Sequence, residues 1–329
     1  MVEQKLAVSA ADIERAAVRI EGYAVRTPLL ENPALNDRVG ARILMKPECL
    51  QRTGSFKFRG AYNRLAQLSE TERGAGVVAW SSGNHAQGVA AAAQLLGMPA
   101  AIVMPDDAPA IKADKTRGYG AEVIGYDRYT ENREEIGAAL AKQRGAVLVP
   151  SYDDGDIIAG QGTCGLEIAQ QAEALGATLD LLLVCCGGGG LIAGSSVAMA
   201  AYSAATRVYS VEPAAFDDHR RSLQSGRREC IAADARSICD ALLAPQPGAL
   251  TFSINRRTLS GGLAVTDEEV KAAMRYAFST LKLVVEPGGA VALAAVLAGK
   301  LDMAGKTVAI VISGGNVDAA LFSSIVTGN

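Results

Sequence analysis

The chain has 329 residues, too many for one ordinary compact domain and about right for two lobes. Hydrophobic residues are 49% and charged residues 20%, which favours a large core and argues against disorder. A net charge of −3, with no basic tract or aromatic–basic interleaving, argues against a nucleic-acid partner.

None of the six cysteines, Cys49, Cys164, Cys185, Cys186, Cys230 and Cys239, forms a C-x-x-C pair. Scattered thiols suit a reducing cytosol, so the expected location is cytoplasmic. Glu3 and Lys5 stand where a leader would carry its apolar region. The Ala-rich stretch 89–96 is too short to span a bilayer, so no membrane association is expected.

Ser9 and Asp12 read as a capping pair before a helix with Ile13, Ala16, Ala17 and Ile20 on one face. A short strand at 43–45 follows, then Thr53-Gly54-Ser55-Phe56-Lys57-Phe58-Arg59-Gly60 and a helix over 58–68. From Gly76 the pattern is regular: strands at 77–80, 101–104, 122–126 and 146–149 alternate with helices at 86–96, 111–118 and 132–144. A second series has a helix at 165–175, a buried strand at 181–186, a helix at 191–202 and a strand at 207–211. The region 214–262 reads as irregular. A helix from Thr266 to about 281, another at 291–297, a strand at 308–312 and a helix at 318–325 complete the chain. Short apolar strands alternating with helices predict an α/β fold with parallel sheets covered on both faces.

Lys57 lies between two phenylalanines. A lysine among apolar groups is partly desolvated, which lowers its pKa and frees its lone pair for covalent chemistry with a carbonyl. The plain alternative is a lysine whose stem packs on aromatics while its head reaches water. Gly187-Gly188-Gly189-Gly190 follows a buried strand and opens a helix, so unblocked amides and the helix dipole form an anion cradle. It is no Walker A loop. Gly188-x-Gly190-x-x-Ala193 with Glu212 also matches a dinucleotide fingerprint, which makes a nicotinamide dehydrogenase a rival reading. Ser81-Ser82-Gly83-Asn84-His85 is a strand-to-helix turn suited to a carboxylate, with Ser82 or Asn84 as a simple cap in the plain reading. Ser313-Gly314-Gly315-Asn316 follows the last strand. All three turns occupy the carboxyl edge of strands, where ligands bind in open α/β sheets. Glu212, Asp217 and Asp218 suit either a hard cation or a solvated acidic loop. His85 and His219 are the only histidines, which excludes a multi-histidine metal site.

Together these residues resemble the serine/threonine dehydratase and serine racemase family of fold-type II pyridoxal-phosphate enzymes. Ser55-Phe56-Lys57-Phe58-Arg59-Gly60-Ala61 looks like its lysine motif, 81–88 its Asn loop, 187–191 its phosphate loop, and 313–316 its pyridine-nitrogen motif. The likeness runs from about Ala11 to the last strand. It implies a two-lobed architecture similar to the tryptophan synthase β subunit. Residues 1–75 and 151–329 would form a large cofactor domain, and residues 76–150 a small mobile one. The implied activity is loss of water from a β-hydroxy-α-amino acid (serine, threonine or 3-hydroxyaspartate), giving a 2-oxo acid and ammonia. An amino-acid racemase is the alternative, and a non-catalytic small-molecule binder a remoter one.

The resemblance assigns Lys57 to carry the cofactor and act as the Cα base, with Phe56 and Leu191 beside it. Asn84 would contact the phenolic oxygen, Gly187, Gly188, Gly189 and Gly190 the phosphate, and Ser313 the pyridine nitrogen. Ser82 matches an acid/base on the opposite face. Ser55, Ser81, Ser82, Gly83, His85 and Arg133 would face the substrate. Glu212, the Phe216 carbonyl and Asp218 match a divalent-cation site for Mg, Ca or Mn. A homodimer is carried over from the family. Three departures put plain threonine specificity in doubt: Gly288 in Glu286-Pro287-Gly288-Gly289-Ala290, Pro150-Ser151-Tyr152-Asp153-Asp154, and Asp240-Ala241. The end at Asn329 leaves no expected room for a regulatory domain, which suggests a catabolic role.

Overall fold

The alternation of apolar strands and helices closes into two sheets. The computed structural model describes residues 6–108, 110–127 and 129–328; Glu3, Lys5 and Asn329 lie outside them. The strands are β1 Leu30–Glu31, β2 Arg42–Pro47, β3 Val77–Trp80, β4 Ala100–Pro105, β5 Glu122–Tyr126, β6 Val147–Leu148, β7 Leu181–Cys185, β8 Arg207–Pro213, β9 Gly261–Val265 and β10 Thr307–Ile312. The larger sheet has the order β1-β2-β10-β7-β8-β9, and the smaller β5-β4-β3-β6. All pairings are parallel except β1 with β2. Strand order reverses between β10 and β7 in one sheet and between β3 and β6 in the other. Such switch points leave a crevice beyond the carboxyl ends of the strands.

Two stretches differ from the sequence expectation. The helix expected at 165–175 spans Gly155–Ala174, because Asp154 caps it through the Asp156 and Ile157 amides at 2.9 and 3.0 Å. Gly160, Gly162 and Gly165 look like breakers but are contact points. A Cβ on Gly160 would lie 2.7 Å from the Arg59 carbonyl, on Gly165 2.6 Å from Ser195 Cα, and on Gly194 2.3 Å from the Ile158 carbonyl. The helices Gly155–Ala174 and Gly190–Tyr202 therefore cross backbone to backbone. The region 214–262 is not irregular throughout: it holds helices Asp218–Ser225 and Ala249–Thr258. The second is capped from far back in the chain, by Asp153 accepting from the Ala249, Leu250 and Thr251 amides at 2.9–3.1 Å.

An ion network inside the larger unit sets the start of the Lys57–Leu65 helix. Arg59, Lys46 and Glu48 are all 0% exposed. The Arg59 guanidinium donates to both Glu48 oxygens at 2.8 Å and to the Glu167 oxygens at 2.7 and 2.9 Å. Lys46 donates to Glu167, the Thr27 carbonyl and Gln171. Two cations thus balance two carboxylates, and Arg59 overcomes its own desolvation through the Glu48 and Glu167 charges.

At the surface Lys112 joins Asp240 at 2.5 Å, linking the smaller unit to the larger. Among the described residues no helix is long and apolar enough to cross a membrane. Replacing Arg59 by Met leaves two buried carboxylates short of their partner, and such a break costs about 3–5 kcal/mol. A denaturant titration of Arg59→Met should show a loss of that order; a midpoint equal to wild type would contradict it.

Candidate active site

Lys57 opens its helix, which lies against the Asn84–Leu95 helix. Gly88 permits the approach, since a Cβ there would lie 3.2 Å from Lys57 C. The Lys57 side chain is half-buried. Its Nζ donates to the Ser151 carbonyl at 2.7 Å and sits 5.3 Å from the centre of the Phe56 ring. Burial lowers its pKa from 10.5 to about 8, because nothing anionic replaces the water taken from the ammonium.

The segment before it is pinned to the end of β10. Ser55 bridges Gly314, the Phe56 amide donates to the Ser313 carbonyl at 3.2 Å, and the Gly315 amide to Gly54 O at 2.9 Å. Ser313 is buried and close enough to Cys185 to hydrogen-bond its thiol. Ser55 is fully buried, and its Oγ has no hydrogen-bond partner.

Gly83 caps the Asn84–Leu95 helix with no side-chain bond, so neither Ser82 nor Asn84 is a simple cap. Ser81 and Ser82 are half-buried in the turn. Asn84 donates to Glu286 Oε1 at 2.6 Å and accepts from Asn316 Nδ2 at 2.8 Å. Sequence reasoning noted Glu286 only as part of a departing motif. Burial, then the Asp240 charge, raises its pKa to about 8, so it is protonated at neutral pH. His85 is buried with Nε2 3.0 Å from the Val149 carbonyl. Burial, then the Lys57 charge, lowers its pKa to about 3, so it is a neutral packing and polar group.

The tetraglycine loop ends β7. Gly189 has φ +94° and caps the Gly190–Tyr202 helix without a side-chain bond, which leaves first-turn amides for an anion. Three of the four glycines are required by a neighbour. A Cβ on Gly188 would lie 2.3 Å from the Tyr152 ring, on Gly189 2.7 Å from His219 Cε1, and on Gly190 2.6 Å from Gln161 Oε1. Leu191 is buried in the adjoining core. Ser151 and Tyr152 thus join the lysine to the glycine loop, a link invisible in the linear motifs. Arg133 is exposed at the first turn of its helix, Arg133–Arg144. Burial raises the Tyr152 pKa, and the Arg133 charge opposes that rise, so the two are neighbours.

Glu212, Phe216 and Asp218 are all buried. Glu212 accepts from the His219 and Arg220 amides at 2.8 and 2.7 Å, which removes it from any ribose-binding role and defeats the dinucleotide reading. Asp217 is neutralised by Arg220 and Arg221. Asp218 is not: its Oδ2 has no partner, and burial raises its pKa to about 7. An orphaned buried carboxylate oxygen beside Glu212 fits a cation.

The Pyridoxal-phosphate dependent enzyme pattern matches residues 20–314. The chain belongs to this family. A Pseudomonas sp. protein named L-threo-3-hydroxyaspartate ammonia-lyase is 47% identical over 317 residues, 96% of this chain and 98% of that one. Serine racemase of Schizosaccharomyces pombe is 41% identical, covering 93% of this chain and 94% of its own. The structure of maize serine racemase superposes with a TM-score of 0.91 at 36% identity, over 98% of each chain. The chain is a fold-type II enzyme of the serine/threonine dehydratase and serine racemase group.

The orphaned Ser55 Oγ, the unblocked amides and the glycine cradle suit a phosphate-bearing cofactor. Treating cofactor-free protein with pyridoxal phosphate at graded pH should give the lysine-bound adduct with a midpoint near pH 8, since the neutral amine predominates above that value. A midpoint near the ordinary 10.5 would overturn the burial argument. Glu286 supplies a second titration. Its folded pKa is raised above the ordinary 4.5, so its stability contribution is full below pH 4.5 and is lost as pH rises through about 8. Melting curves should show Glu286→Gln gaining on wild type between about pH 5 and pH 8 and levelling off above; an unchanged difference would count against it.

Proposed function

We propose that this enzyme is an ammonia-lyase that removes water from L-threo-3-hydroxyaspartate, giving a 2-oxo acid and ammonia. One observation carries the reading. Lys57, with its lowered pKa, lies between a carboxylate-suited turn and an anion cradle, in a chain whose relative at 47% identity bears that activity in its name.

Bound pyridoxal phosphate supplies an electron sink that acidifies the substrate Cα–H. Gly187, Gly188, Gly189 and Gly190 hold its phosphate through backbone amides. Phe56 and Leu191 would stand beside its ring, Asn84 would contact its phenolic oxygen, and the Ser313 hydroxyl would face its nitrogen. A neutral hydroxyl there does not enforce a protonated ring as a carboxylate would, which favours prompt loss of the β-hydroxyl. Lys57 Nζ takes the Cα proton, and the Ser151 carbonyl orients that nitrogen. Ser55, Ser81, Ser82, Gly83 and His85 line the substrate side, and Arg133 binds a substrate carboxylate. The four-stranded unit serves as the mobile lobe. Glu212, the Phe216 carbonyl and Asp218 take a divalent cation of the Mg, Ca or Mn type, a set of oxygen donors suited to hard ions. Free thiols support a cytosolic setting, and a homodimer is the assembly proposed.

The same pair, Lys57 and Ser82 on opposite faces, supports racemisation as a second activity. The serine racemase relative favours it. The test is 2-oxo acid and ammonia release from 3-hydroxyaspartate isomers, L-serine, L-threonine and D-serine, each with Mg²⁺ and with EDTA. The L-threo isomer should exceed L-serine and L-threonine at least tenfold in kcat/KM, with EDTA lowering turnover. Lys57→Ala should lose about 10²–10⁴ in rate, the span of a removed acid–base group, together with the visible absorption of the lysine-bound cofactor. Enantiomer interconversion without oxo acid would replace the lyase by the racemase.

A further inference from the structure

Beside the glycine loop lies a second donor cluster of different chemistry. Cys186, Glu212 and His219 are all buried, and one ligand atom from each lies within 4.8 Å of the others. Cys186 directly follows β7, and its thiol has only a weak 3.6 Å contact with the Gly187 carbonyl. Glu212 arrives from β8 and His219 from the helix that follows.

His219 is fully buried, and its Nδ1 has no hydrogen-bond partner. Its Nε2 lies 2.8 Å from Asn255 Nδ2, while Asn255 Oδ1 is also buried without a partner. A neutral imidazole binds a metal through one nitrogen and donates N–H from the other. The two ends of an amide have nearly the same shape. Turning the Asn255 amide gives up only a long 3.4 Å contact of Nδ2 with the Gly189 carbonyl, sets Nε2–H on Oδ1 and leaves the Nδ1 lone pair for an ion. Such a partner fixes the ring of a ligating histidine.

Thiolate, imidazole and carboxylate together select borderline and soft ions, in contrast to the all-oxygen set of Glu212, Phe216 and Asp218. We propose that Cys186, Glu212 and His219 form a zinc-selective site that shares Glu212 with the hard-cation position, so that Zn²⁺ and Mg²⁺ exclude each other. On binding, the Zn–S bond replaces the Cys186 S–H bond and the proton leaves to solvent. His219 also touches the glycine loop, since its Cε1 lies 2.7 Å from where a Gly189 Cβ would stand. An ion there bears directly on the phosphate cradle.

The test titrates purified, cofactor-loaded enzyme with Zn²⁺ against a chromophoric chelator. One equivalent per chain should bind, Mg²⁺ should compete only weakly, and Cys186→Ser should lower zinc affinity at least tenfold. His219→Gln gives a second variant, should the first fold poorly. Co²⁺ supplies an independent readout, as intense visible bands of a four-coordinate thiolate site that Cys186→Ser removes. Equal zinc affinity in both folded variants, or weak six-coordinate cobalt bands in the wild type, would overturn the proposal. Zinc stoichiometry and cobalt bands do not require turnover, so a failed lyase assay leaves them decisive.

Discussion

The Arg59 network is the constraint on which the site depends. A guanidinium with no exposed surface is tolerated only because Glu48 and Glu167 grip its fork from two directions. Those carboxylates come from the turn after β2 and from the long helix that starts at Gly155, and Lys46 balances the second charge. Arg59 is two residues beyond Lys57, so fixing one fixes the direction of the other. The interaction is demanding because the charges have no solvent to fall back on. It therefore specifies one docking of the Lys57–Leu65 helix more sharply than apolar packing would.

Around that anchor the two sheets present matching edges. β7 and β10 bring the glycine loop and Ser313 to one switch point, while β3 and β6 bring the Ser81 turn and the segment 149–154 to the other. Ser151 holds the Lys57 nitrogen, Tyr152 covers Gly188, Asp153 caps one helix and Asp154 another. Four consecutive residues thus set the lysine, the anion cradle and two helix starts. The helices that begin at Asn84 and Gly190 both have glycine caps, so their first-turn donors face the cleft rather than their own side chains.

Most of the site was legible because its chemistry is local. Lys57 between phenylalanines, four successive glycines and a Ser-Ser-Gly-Asn turn are unusual over a few residues, and the strand alternation placed the polar turns, though not Lys57, at one edge. What was not legible depends on distance in the chain. The pairing of Lys46, Glu48, Arg59 and Glu167 is absent from the sequence reading, because nothing in the sequence pairs residues 121 positions apart. The helix expected from 165 starts ten residues earlier, and the close approach that Gly160, Gly162 and Gly165 permit is hidden because the backbone they touch, at 59–60 and at 194–195, belongs to other helices. The cap supplied by Asp153 to the helix at 249 was hidden for the same reason. The raised pKa of Glu286 comes from the enclosing fold that takes away its water and from the charge of Asp240, and the hydrogen bond from Asn84 offsets it only in part.

The contact of Lys112 with Asp240 links the two units through exposed charge. Both charges bear on Glu286, which binds Asn84, so the pair stands close to the cofactor side of the cleft. An exposed ion pair contributes only about 0–1 kcal/mol and weakens as salt rises. The fastening on this side is therefore comparable to thermal energy, whereas the Arg59 anchor below it is far stronger. Two fastenings of different strength thus coexist: a buried charge network that fixes the Lys57–Leu65 helix, and a single ion pair between the units that salt loosens.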